Sequence, residues 1–157
     1  MKRVHNTNSK TLINSKCYSG IESFKPLGLW YGINNEWLDW CYGEEPDWIK
    51  KYLFELDIDM TDVFVISDNG ELCEFQKRYE KCMIKNVPYI DWKKVKNDYK
   101  GIEIINYSDI KYNSFLTFFS MVFCAWDVSG GCIWDLSVIK NFNRILTPNK
   151  WFKNHES

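Results

Sequence analysis

The spacing of apolar residues changes several times along the chain, and each change marks a different kind of element. Val4 and His5 open a short strand that stops at the polar run NTNSK, where Asn, Thr and Ser side chains favour turns. GLWYG, Gly28 to Gly32, is a glycine-bounded strand. In NNEWLDWCY an Asn34 or Asn35 cap precedes Trp37, Trp40 and Cys41 at helical spacing. Tyr52, Phe54, Leu56 and Ile58 then alternate with Glu55, Asp57 and Asp59, the period of a strand with one wet face, and Val63 to Ile66 forms a second, wholly apolar strand. Asp68-Asn69-Gly70 predicts a turn, and Leu72, Phe75, Tyr79 and Cys82 an amphipathic helix beyond it. A short helix follows from an Asp91 cap through Trp92, Val95 and Tyr99, with Gly101 as a left-handed C-terminal cap before the strand IEII. CIWDLSVI reads as the last strand, and Lys140 to Ser157 as peripheral. Helices are grouped instead of alternating with strands, so the pattern predicts an α+β fold.

Composition narrows the function classes. The 157 residues contain no repeat or linker, and their length suits a single domain over 1–157 with its core at about 4–139. Lys and Arg total 20 against 21 Asp and Glu, and no window gathers the basic cluster that tracking a phosphate backbone by bulk field requires. The charged start, MKRVHNTNSK, lacks the apolar core of a secretory signal, so a cytoplasmic location and reduced thiols are expected for the six cysteines. With two histidines and no CxxC pair, a structural zinc site is not expected. The longest apolar stretch, Phe115 to Trp126, is about half a membrane span and reads as core or an interaction surface. No GxGxxG or GxxxxGK[ST] loop is present to cradle phosphate.

Three features carry candidate chemistry. His5, followed by Asn6 and Thr7, ends a strand from which an imidazole can bond a ligand hydroxyl; the plainer reading is an exposed terminal His. Tyr31 and Tyr42, ten residues apart, can close as two rings on a flat cationic heterocycle, although 10 Phe, 9 Tyr and 8 Trp make many such spacings accidental. The carboxylates Glu103, Asp127 and Asp135 lie near the last strands, where an acid can stabilise an oxocarbenium-like transition state at a ribose; each, taken singly, is more often structural.

Taken in order, a His ending the first strand, a Tyr-x10-Tyr pair on a strand-helix unit and a late acid resemble the NAD-dependent ADP-ribosyltransferases of the diphtheria-toxin and poly(ADP-ribose) polymerase type. KYLFELDIDMTDVFVIS is similar to the paired strands that follow the Tyr-bearing helix in small members, and WDVSGGCIWD to their closing segment. The resemblance spans most of Val4 to Val138, and residues 106–125 depart from it as a target-binding loop or core insert. It implies a split β-sheet core flanked by short helices, NAD as co-substrate, and transfer of ADP-ribose to a protein or nucleic-acid acceptor, as in a toxin or effector. His5 and Thr7 would then hold NAD, Tyr31 and Tyr42 would stack on the nicotinamide, and the acid would be Asp127, with Glu103 as runner-up; the family usually has Glu there. Two other readings remain: a non-catalytic aromatic-rich interaction module, of immunity or sugar-binding type, and an RNA 2′-phosphotransferase-like enzyme.

Overall fold

Residues 1–12, 18, 25–84, 87–114, 123 and 126–146 are described by a computed structural model. Among them the order is β1 (Arg3–Thr7), β2 (Leu29–Ile33), α1 (Glu36–Glu44), β3 (Tyr52–Ile58), β4 (Val63–Ile66), α2 (Asn69–Tyr79), β5 (Glu80–Ile84), β6 (Val87–Ile90), α3 (Trp92–Asp98), β7 (Gly101–Ile104), α4 (Tyr107–Ser114), β8 (Gly130–Ile133) and β9 (Ile139–Arg144). Seven strands form one sheet in the order β4-β7-β8-β2-β1-β3-β9, and β5 and β6 make a separate hairpin. Only β4 and β7 pair in parallel, and α2 lies in the connection between them. The class is α+β, as the grouping of helices predicts.

Strand alternation sends side chains to two faces, and each face has its own core. Ile102, Ile104 and Cys132 pack with Leu72 and Phe75 of α2, Val95 of α3 and Ile110 of α4. Leu29, Ile33, Phe54, Leu56 and Ile133 build the second core. A smaller cluster of Val4, Leu38 and Leu53 seats α1. No described helix is long and apolar enough to cross a membrane.

Several local expectations need correction. Asp68 does not begin a turn: its carboxylate accepts from the Glu71 N–H and caps α2, which starts at Asn69. That helix ends at Tyr79, so Cys82 belongs to β5, and its helical spacing from Tyr79 is accidental. Gly101 is no left-handed cap but the first residue of β7, where a Cβ would collide with Ile133 Cδ1; glycine serves close approach to β8. CIWDLSVI is not one strand. β8 stops at Ile133, the Trp134 and Asp135 N–H groups both turn to the Lys100 carbonyl, and Asp135 caps a 3-10 turn over Leu136–Val138. Lys140 to Arg144 is not peripheral, since β9 pairs with β3 at the sheet edge. The first part of the 106–125 segment is helix α4, whose Tyr107 and Ile110 are buried, and Phe123 and Trp126 are buried too. Residues 115–122 and 124–125 lie outside the described set, as do 147–157.

Candidate functional site

The geometry starts from a break in strand pairing. β1 meets β2 only at Arg3↔Ile33 and Val4↔Gly32, yet it stays paired with β3 through Thr7. Past Val4 the two strands part, and the imidazole of His5 closes the gap with Nδ1 at 2.6 Å from the Trp30 carbonyl oxygen. A carbonyl only accepts, so Nδ1 carries the proton of this hydrogen bond. Asn6 fixes the far side of β1, donating through its Nδ2 to the Lys50 and Tyr52 carbonyls and accepting from the Lys50 N–H.

A cavity of about 290 Å³ lies at this separation, with His5 and Asn6 on its β1 side and Trp30 and Tyr31 on its β2 side. Trp37 of α1 and Trp126 and Val128 before β8 complete most of the described wall, and Lys25 adds a lysine to it. Trp30 and Trp126 meet edge to face at 4.7 Å between centroids. Trp37 is stacked at 5.3 Å on Trp40 and at 6.1 Å on Trp48, so its indole is braced from behind by two others.

Asp127 stands between two residues of the wall. Its φ is 73°, and the Val128 N–H donates to the Trp126 carbonyl at 3.0 Å, which makes a tight turn with Asp127 at its apex. Asp is among the few side chains that accept this left-handed region. Its Oδ2 lies 4.0 Å from Lys25 Nζ, and that ammonium sits 5.3 Å from the centre of the Trp30 ring. Burial draws the Lys25 pKa below its ordinary value, opposed by the Asp127 charge.

Glu103, the other acid, is committed elsewhere. Its carboxylate is 1% exposed and accepts from Arg3 Nε at 2.6 Å, from the second Arg3 nitrogen at 3.0 Å, and from the Tyr31 hydroxyl at 2.8 Å. Burial, then the charge and hydrogen bond of Glu103, holds the Tyr31 phenol well above its ordinary pKa. Burial lowers the Arg3 guanidinium, but Glu103 outweighs it and the net shift is upward. Gly131, opposite Tyr31 across the ladder, leaves room for the phenol, with which a Cβ would collide.

The sequence-derived residues therefore divide. His5 and Tyr31 line one cavity, and Asp127 is flanked by two of its lining residues. Tyr42 is 56% exposed and does not line it, Thr7 ends β1 with its Oγ1 accepting from the Ser9 N–H, and Glu103 is buried in the sheet. The two tyrosines are not brought together at the cavity, because the Tyr31 hydroxyl is anchored on Glu103 and its side chain packs with Leu29 and Ile33. The cavity's rings are instead the tryptophans. The sequence pattern places Trp30 in a strand and Trp37 in a helix and singles out neither of them, nor Lys25, for the site. No group of three or more metal-ligating side chains is present among the described residues. Comparison with protein families, curated proteins and solved structures finds no match to the chain.

Proposed function

We propose that this protein is an NAD-dependent ADP-ribosyltransferase with an α+β fold of that superfamily's type. The observation that carries the reading is convergence: His5 from the start of the chain, Tyr31 and Trp37 around α1, and the Trp126–Val128 turn bearing Asp127 meet at one cavity where the sheet opens. Its indoles suit the flat cationic nicotinamide ring, which is attracted to an electron-rich face. His5 would hydrogen-bond a ribose hydroxyl. Asp127 would stabilise the positive charge that develops at the anomeric carbon as the carbon–nitrogen bond breaks. The bonding pair leaves with nicotinamide, which becomes neutral, and a nucleophile of a protein or nucleic-acid acceptor bonds to that carbon and gives up its proton to solvent.

The test is nicotinamide release from NAD, scaled to folded protein. Asp127→Ala is expected to lower kcat by roughly a hundredfold or more, the usual loss when a charge-stabilising group is removed, while His5→Ala raises KM more than it lowers kcat. Glu103→Gln is expected to retain turnover, because its carboxylate is held in the sheet. Full activity of both acid variants would reject an acid at either position.

One observation favours a second reading, a module that binds without turnover. Among the described residues that line the cavity none is a carboxylate, so Asp127 acts from the turn between two of them. Tight NAD binding with no nicotinamide release by the wild-type protein would decide for it.

A further inference from the structure

Lys25 brings a cation to a wall otherwise made mainly of indoles and aliphatic side chains. Its ion pair to Asp127, at 4.0 Å, sits at the outer limit of such contacts, and both side chains remain about one-third exposed, 38% and 30%. Loose, partly solvated pairs of this kind contribute ~0–1 kcal/mol. A phosphate oxygen brought to Lys25 makes a shorter, charge-assisted hydrogen bond and competes well against such a partner. The Trp30 ring beneath the ammonium, its centre 5.3 Å away, keeps that charge beside any flat guest lying in the cavity.

We propose that Lys25 is the anion-selecting residue of this cavity, choosing flat heterocycles that carry a phosphate over the same heterocycles without one, and that the phosphate replaces Asp127 as its partner. The inference rests on the cavity being the ligand site of the proposed function and adds what that reading leaves open. Asp127 is a counter-ion before the ligand arrives and is released toward the ligand's ribose once Lys25 has turned to phosphate. Binding and readiness of the acid are thereby coupled: a ligand lacking phosphate leaves the carboxylate paired. The two residues consequently have opposite effects on affinity, although both belong to one pair.

The experiment measures dissociation constants by calorimetry for nicotinamide mononucleotide against nicotinamide riboside, and for AMP against adenosine. The proteins are wild type, Lys25→Met, Lys25→Arg and Asp127→Asn, and Asn tolerates the left-handed backbone at position 127 as Asp does. Lys25→Met is expected to weaken the phosphorylated member of a pair by roughly ten- to a hundredfold, the range for losing a charge-assisted hydrogen bond, and to leave the other member within about twofold. Lys25→Arg restores the preference. Asp127→Asn is expected to tighten the phosphorylated ligand by a few-fold even as turnover is lost. Equal weakening of both members by Lys25→Met, no preference for phosphate in the wild type, or weaker phosphate binding by Asp127→Asn would each overturn the proposal. The two claims separate cleanly. Phosphate selection through Lys25 for AMP with no nicotinamide release keeps the anion site and removes the NAD reading, whereas nicotinamide release unaffected by Lys25→Met does the reverse.

Discussion

A carboxylate that is 1% exposed survives in a sheet only where its charge is fully met, and Glu103 has three hydrogen bonds from two side chains. Arg3 supplies the opposite charge in a fork that matches both carboxylate oxygens, and Tyr31 occupies a remaining lone pair. Removing one member strands the others. Glu103→Leu is therefore expected to cost about 3–5 kcal/mol by leaving the Arg3 guanidinium without a counter-charge, while the double variant Arg3→Met/Glu103→Leu, which removes both charges, recovers most of that loss. Urea unfolding of the two single variants and the double checks this. A double variant no more stable than Glu103→Leu would mean that the carboxylate matters for something other than its pairing. Glu103 is a candidate acid in the sequence for the same reason. A Glu inside an apolar strand signals a special environment, but only the partners, 100 and 72 residues away, show whether that environment is a site or a structural pair.

At the level of elements, most of the strands and helices are legible because their signals are local. Asp91 and Asp68 each cap the helix that follows, and the alternation from Tyr52 to Ile58 is the strand β3. What local pattern does not carry is where an element stops in response to a distant neighbour. The end of β8 is set by the Lys100 carbonyl, and Gly101 is set by the approach of Ile133. β9 does not show as a strand in the sequence because Lys140, Asn141 and Asn143 make it polar, as an exposed edge strand can be. Its register with β3 ends beside Asp59, which accepts from the Thr61 N–H and hydroxyl and pairs with Lys140 at 3.1 Å. Those hydrogen bonds from Thr61, with help from Lys140, lower the Asp59 pKa to about 2. In the unfolded chain it titrates near ~3.9. The unfolded state thus takes up its proton first as pH falls, so the stabilisation is complete above the unfolded value and disappears on acidification through the folded one. Melting curves of wild type and Asp59→Ala are expected to differ at pH 7, with the wild type higher, and to converge between about pH 4 and pH 2. A gap that does not narrow over that window would assign the effect to packing.

The seven-stranded sheet has one place where its pairing is incomplete. Six neighbouring pairs join the seven strands, and only between β1 and β2 does a pairing end while one of its strands continues with its other neighbour for three more residues, His5 to Thr7. Peptide groups released there must be met by side chains or solvent, and the Trp30 carbonyl is met by His5. This opening is what the chain order alone could not show. His5, Tyr31 and Asp127 are separated by 26 and 96 residues in sequence, and only the antiparallel run β8-β2-β1 lays their segments side by side. The place of Asp127 is equally hidden in the sequence, because it depends on a turn with Asp127 at its apex and its neighbours, Trp126 and Val128, lining the cavity. A cavity bounded by elements from both ends of the chain has a thermodynamic consequence: a guest that bridges β1, β2 and the 126–128 turn binds the folded state and not the unfolded one. NAD at a hundredfold excess over its dissociation constant then adds about 2.7 kcal/mol to stability, which raises Tm by roughly 5–10 °C in a chain of this size. Thermal unfolding with and without millimolar NAD measures it directly. The shift is expected to persist in Tyr42→Ala, whose ring lies outside the cavity, and to shrink in Trp37→Ala, whose ring forms part of its wall. Loss of the shift in Tyr42→Ala would move the stacking partner back to the tyrosine and place the ligand on the outer side of α1.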